Sequence, residues 1–202
     1  MAAGIRAMMK SLLPNRAALI LSLGLWAYCA FILFAMQRPW ICACGTVRLW
    51  HGVVQSAENS QHIADWYTFS HVIHGLLFYA GAHFLWRRFN LFDGAPTRWA
   101  LPIAVALEAS WEILENSPMI IDRYRSVTAS FGYSGDSIVN SMADIGWMML
   151  GFWLASRLPW WASVALALAF ELLTLILIRD NLTLNVLMLV WPIDAVRHWQ
   201  AG

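Results

Sequence analysis

Glu108, Glu112 and Glu115 lie in an otherwise apolar stretch, RWALPIAVALEASWEILENSP, at i, i+4 and i+7. At about 100° per residue the three fall within roughly 60° of one another on one helical face. Carboxylates are costly in hydrocarbon, so ionisable residues within an apolar span are functional-site candidates by default. Other chemistry-bearing residues show the same helical spacing: His71 and His74 at i, i+3, and Asp136, Asn140 and Asp144 at i, i+4, i+8. Facing helices that supply Glu and His are a recipe for metal sites in bundles. His71, His74, Glu112 and Glu115 therefore form a candidate ligand set, and two imidazoles with carboxylates suit a divalent metal ion such as Zn²⁺, Mn²⁺ or Fe²⁺. Without a metal, clustered carboxylates in a low dielectric supply a proton donor near neutral pH. In that reading His71, His74, Glu112, Glu115 and Asp144 are the catalytic acid–base groups. The competing reading is structural: the histidines donate to the carboxylates, and Arg123, Arg125 and Arg179 pair with the acids to hold helices together.

These residues need helices to carry them, and composition says which kind. The chain has 202 residues, 60% hydrophobic and 12% charged, with 13 Trp, a balance that suits a polytopic membrane protein. A net charge of +1 gives no electrostatic case for nucleic acid. Five apolar stretches approach or reach the roughly 20 residues a span needs: Ala17 to Met36, Ser70 to Trp86, Trp99 to Glu115, Ile138 to Ala155, and Trp160 to Ile178. Residues 184–199 read as a short sixth span or an interfacial helix, with the balance towards a span. The expected fold is all-α, one integral membrane bundle over 1–202 with five or six transmembrane helices. Arg6, Lys10 and Arg16, Arg87, Arg88 and Arg98, and Arg157 set the orientation. They put the N-terminus (1–16) in the cytoplasm and loops 37–69 and 116–137 on the periplasmic side of a bacterial inner membrane.

That topology gathers the acids, amides and imidazoles at one end. Glu108, about 10 Å deeper than Glu115 at 1.5 Å per residue, reads as a supporting residue, either partnered with Glu171 or protonated. In the loop DRYRSVTASFGYSGDS, Arg123 and Arg125 would hold a phosphate, with Asn116, Asp136 and Asn140 completing the substrate-binding set and orienting the core. Ser110, Ser117, Ser137 and Ser141 lie near the cluster, but none sits in a GxSxG elbow. Cys42 and Cys44 are two apart, where a disulfide would be strained, so two free or metal-touching thiols are expected.

Four blocks carry a resemblance: CGTVRLWHGVVQSAENSQHIADWYTFSHVIHG, WEILENSPMIIDRYR, GDSIVNSMADIGWMMLGF and IRDNLTLNVLMLVWP. They resemble an uncharacterised family of inner-membrane proteins from rhizobia and related alphaproteobacteria, domain of unknown function 2585. The resemblance runs from Cys44 to Gln200 and leaves the first 43 residues outside. It implies a multi-pass protein of the bacterial inner membrane and supplies no reaction. The histidine-bearing, WE-bearing and GDxxxN-type helices are also similar, at fold level alone, to VanZ-like and YjdF-like membrane proteins.

The expected function is a hydrolase or transferase acting on a membrane lipid or lipid-linked phosphate substrate at the periplasmic leaflet. Two other classes remain open: an assembly protein whose polar network fixes helix packing, and a small proton-linked transporter.

Overall fold

The computed structural model describes residues 16–91, 99–128 and 132–202. Among these residues the chain is all-α, with eight helices and no strand. They are α1 (Arg16–Ala35), α2 (Thr68–Arg88), α3 (Ala100–Glu115), α4 (Pro118–Val127), α5 (Ile138–Arg157), α6 (Trp160–Ile178), α7 (Leu182–Val190) and α8 (Asp194–Ala201). α1, α5 and α6 are each long and apolar enough to cross a membrane.

Local chemistry sets several of the boundaries. Ser117 accepts from Ile120 N–H at 3.5 Å, with Pro118 following at the first helical position; together these start α4 within the expected 116–137 loop. Ser137 caps α5 through Asn140 N–H at 3.2 Å, and Asn181 caps α7 through Leu184 N–H at 2.8 Å. α6 ends at Arg179, which takes the left-handed conformation at φ 57° and turns the chain towards α7.

Packing pairs α2 with α5 and α1 with α3 as the most extensive contacts, and α3 and α1 also rest on α5. Between them lies a core that includes Cys29, Leu33, Val105, Ile145, Met148 and Phe152. Glycine permits the closest approach. A Cβ on Gly75 of α2 would run into Met148 O, and one on Gly151 of α5 into Val72 O; small residues let helix backbones meet in this way. α6 buries only Thr174 and exposes Val164, Leu168, Leu172 and Ile176, an apolar surface that suits hydrocarbon rather than water.

The segment between α1 and α2, residues 36–67, contains no helix but is tied to the start of α5. Ile138 N–H and Val139 N–H, donors that a helix N-terminus leaves unmatched, reach Pro39 O at 2.8 Å and Trp40 O at 3.1 Å. Gln61 Nε2 donates to Gly135 O at 2.7 Å, Asn140 Nδ2 to His62 O at 2.8 Å, and Trp147 Nε1 to Ile63 O at 2.9 Å.

The structure corrects two expectations. Residues 184–199 are not one span: α7 has nine residues and α8 eight, about 14 and 12 Å at 1.5 Å per residue. The chain breaks at 191–193 and folds back, so that Gln200 Nε2 donates to Asp180 Oδ1 at 3.0 Å and Arg179 Nη1 to Trp199 O at 3.1 Å. Cys42 and Cys44 are not free thiols but a disulfide. A tight turn, closed by Gly45 N–H to Cys42 O at 2.9 Å, sets their Cα atoms 5.1 Å apart, within the span a disulfide bridges.

Candidate functional site

The N-terminal turns of α2 and α5 and the C-terminal turns of α3 meet at one end of the bundle, the end that α4, α7 and segment 36–67 also reach. His71 and His74 come from the first turns of α2, Glu108, Glu112 and Glu115 from α3, and Asp144 from α5. His71 and Asp144 are buried, and Glu108 and Glu112 are both 0% exposed.

Glu108 is the hub. Its Oε1 lies 2.7 Å from His71 Nδ1 and 3.0 Å from His74 Nδ1, and its Oε2 3.1 Å from His74 Nδ1. A carboxylate can only accept, so both imidazoles present Nδ1–H to it. In the neutral ring that leaves the lone pair on His71 Nε2, which faces Asp144 Oδ2 at 3.8 Å. A histidine held through one nitrogen by a carboxylate while the other is offered outward is the arrangement that orients metal-binding imidazoles.

Glu112 lies beside this pair, with Oε1 3.6 Å from His71 Nδ1. Among the described residues neither of its oxygens has a hydrogen-bond partner, and Asp144 Oδ1 has none either. Buried unsatisfied polar atoms call for an explanation such as an ion or water, and an isolated buried carboxylate is costly. One ligand atom from each of His71, Glu112 and Asp144 lies within 4.8 Å of the others. The same holds for His71, His74 and Glu108, and for Glu112, Glu115 and Asp136. The four ligands expected from sequence are thus divided among three overlapping groups.

A cavity of about 130 Å³ opens beside these groups, lined by His71, His74, Glu115, Asp136, Asn140 and Asp144. At about 10–15 Å³ per water, this is room for a hydrated ion and a small polar group. Tyr67, Tyr124 and Tyr133 share the lining with Asn59, Ser60 and, from α7, Asn185. Asn116 lies behind it, its Nδ2 donating to Asp136 Oδ2 at 2.7 Å and its Oδ1 accepting from Asp136 N–H at 2.7 Å. Tyr133 donates to Asp136 Oδ1 at 2.9 Å. Burial pushes Asp136 up to about 6, while hydrogen bonds from the Tyr133 hydroxyl and the Asn116 amide pull the other way. Burial and nearby carboxylates push Tyr133 well above its ordinary range, which keeps it a neutral donor at the rim.

The arginines do not enter the cavity lining. Arg123 Nε donates to Leu189 O at 3.0 Å, and Arg125 Nε to Tyr133 O at 2.5 Å. Both tie the chain together at this end of the bundle. The expected pairing of Glu108 with Glu171 is also absent: Glu171 accepts from Leu182 N–H at 2.9 Å and Thr183 N–H at 3.2 Å, capping α7. Sequence reasoning ranked Glu108 too low and missed the tyrosines. The i, i+4, i+7 stripe already contained Glu108, but nothing in the sequence marks which tyrosine faces inwards.

The family described as a protein of unknown function, DUF2585, matches residues 33–202, so the likeness begins earlier than Cys44. A UPF0314 protein of Novosphingobium aromaticivorans is 61% identical over 191 residues, 95% of this chain and 96% of its own length. UPF0314 proteins of Paracoccus denitrificans and Rhizobium meliloti are 55% and 54% identical, covering 88% and 93% of this chain and 92% and 93% of their own. No solved structure matches the chain.

Proposed function

We propose, from the premise that the chain belongs to the DUF2585 family, that it is a membrane protein holding a divalent cation in this pocket. It would use the cation as a hydrolase or transferase on a phosphate-bearing lipid or lipid-linked substrate. The observation that carries this reading is Glu112: fully buried, with both oxygens lacking a hydrogen bond, and within ligand reach of His71 and Asp144. His71, Glu112 and Asp144 would hold the ion, and Glu108 would orient His71. A bound divalent cation supplies Lewis acidity and a more acidic water.

The same geometry bears on the substrate. Five carboxylates (Glu108, Glu112, Glu115, Asp136 and Asp144) surround two imidazoles, and Arg123 and Arg125 spend their Nε–H groups on carbonyls outside the lining. An anionic group would be repelled here unless a cation met it, so the attraction for phosphate rests on the ion. Glu115 and Asp136, which line the cavity, would be the groups that accept a proton from an attacking water.

Five spans, α1, α2, α3, α5 and α6, fit this reading in a bacterial inner membrane, with the pocket at the periplasmic leaflet and the N-terminus in the cytoplasm. α2 has 21 residues and α3 has 16, about 32 and 24 Å of helix. Beyond Glu108 the helices close on fully buried Val105, Ile145 and Met148, which gives a proton-linked transport path no support.

The test is metal analysis of protein purified without chelator. The wild type is expected to carry a stoichiometric divalent metal, and Glu112→Gln to lose it while remaining folded in detergent. The assembly reading draws on the Glu108 bridge between α2 and α3. It predicts no metal in either protein and a lower thermal midpoint for the variant, and that result would sink the proposal.

A further inference from the structure

A second group of ligand-type side chains lies outside the pocket, in segment 36–67. The turn at Cys42–Gly45 relies on Gly45 at φ 77°, a backbone conformation glycine adopts without a Cβ penalty. It brings Cys42 and Cys44 to one side. Glu58 and His62 face them, and one ligand atom from each of the four residues lies within 4.8 Å of the others. Cys42 is 3% exposed and His62 1%.

The surroundings suit a held ion. Cys44 N–H donates to Cys42 Sγ at 3.1 Å, a contact that favours a thiolate there. His62 Nε2 stands 3.3 Å from Glu58 Oε2, and Arg48 Nη1 braces the same oxygen at 2.9 Å. The backbone of His62 is fixed by Asn140 Nδ2 on its carbonyl at 2.8 Å. Two sulfurs, one imidazole and one carboxylate make a four-ligand set of the kind Zn²⁺ takes in tetrahedral sites.

We propose that Cys42, Cys44, Glu58 and His62 form a second site, for a thiophilic divalent cation of the Zn²⁺ class, which opens when the Cys42–Cys44 disulfide is reduced. Thiolates, not disulfide sulfurs, are the ligands, so the oxidised form lacks two of its four donors. A dithiol reductant supplies the change. Its two S–H groups give up two electrons and two protons and become a disulfide; the Cys42–Cys44 bond breaks and each sulfur takes one proton. Cation binding then displaces those two thiol protons to solvent. None of its four residues lines the pocket, though Asn59 and Ser60 between them do, and the site does not depend on the function proposed for the pocket.

Cobalt absorption tests this directly. Purified protein is reduced with dithiothreitol, desalted anaerobically and titrated with Co²⁺ beside an untreated, oxidised sample. The reduced protein should gain a thiolate-to-cobalt charge-transfer band that saturates at one equivalent and is discharged by Zn²⁺, and the oxidised protein should show none. Cys44→Ser should abolish the band, and Glu112→Gln should keep it, which separates this site from the pocket. A reduced wild type without the band overturns the proposal. So does a band that survives in Cys44→Ser, since one thiolate, from Cys42 or from Cys29, would then suffice.

Discussion

One carboxylate holds the Nδ1–H of two imidazoles, and that makes Glu108 the residue on which the geometry of His71 turns. Glu108→Gln keeps the size and one acceptor but removes the charge. By the usual effect of losing a carboxylate behind a metal-binding histidine, metal affinity should fall about 10–100-fold, read by competition with a chromophoric chelator. An unchanged affinity would remove Glu108 from the orienting role. The sequence displayed this residue plainly on the glutamate stripe, yet its depth in an apolar run suggested a supporting place. Depth along α3 says nothing about how far an imidazole from α2 reaches inwards, and His71 reaches to Glu108. Arg123 and Arg125 show the converse. Their proximity to the cluster in sequence was real, but the carbonyls of Leu189 and Tyr133, which claim their Nε–H groups, lie 66 and 8 residues away in the chain.

At the scale of elements, Asp180 joins three helices. It accepts from Tyr67, ahead of α2, at 3.1 Å, from Asn181 N–H at 2.9 Å and from Gln200 of α8 at 3.0 Å. Burial, only partly offset by these hydrogen bonds, pushes it up to about 6. An unfolded aspartate titrates near 3.9, so the folded state binds the proton more tightly. The stability this contributes is fully present below about pH 4 and is lost as pH rises through about 6. Stability in detergent, followed by the thermal midpoint, should therefore fall over that window, by about 3 kcal/mol at most. Asp180→Asn should flatten that part of the profile, and an identical slope in the variant would refute the assignment. The five long helices were legible because each is a run of apolar residues bounded by Arg, Pro or Ser, and their observed limits fall within about two residues of the expected ones. α7 and α8 were not. Their joint length resembles a span, and the fold-back depends on contacts from Arg179 and Asp180 to residues twenty positions later.

For the whole molecule, the α7–α8 fold-back decides where the chain ends. Five crossings from a cytoplasmic N-terminus would leave the C-terminus on the pocket side of the membrane, whereas a sixth would return it to the cytoplasm. A C-terminal alkaline phosphatase fusion should therefore be active and a green fluorescent protein fusion dark; the reverse pattern would refute the five-span topology. Exposed Val190, Trp191 and Trp199 on this hairpin suit the headgroup region, where tryptophan collects. The contact between α2 and α5 reaches further still. Both helices begin at the pocket end, and Gly75 and Gly151 bring their backbones together one turn beyond His71 and two turns beyond Asp144. The gap across which a ligand must be shared is thus set by main chain rather than by flexible side chains. Divalent ions differ in the ligand distance they demand, from about 2.0 Å for Mg²⁺ and Zn²⁺ to about 2.3–2.6 Å for Ca²⁺. If the proposed ion is bound, two absent methyl groups would act as the gauge of this site, and ionic radius would be the property it reads.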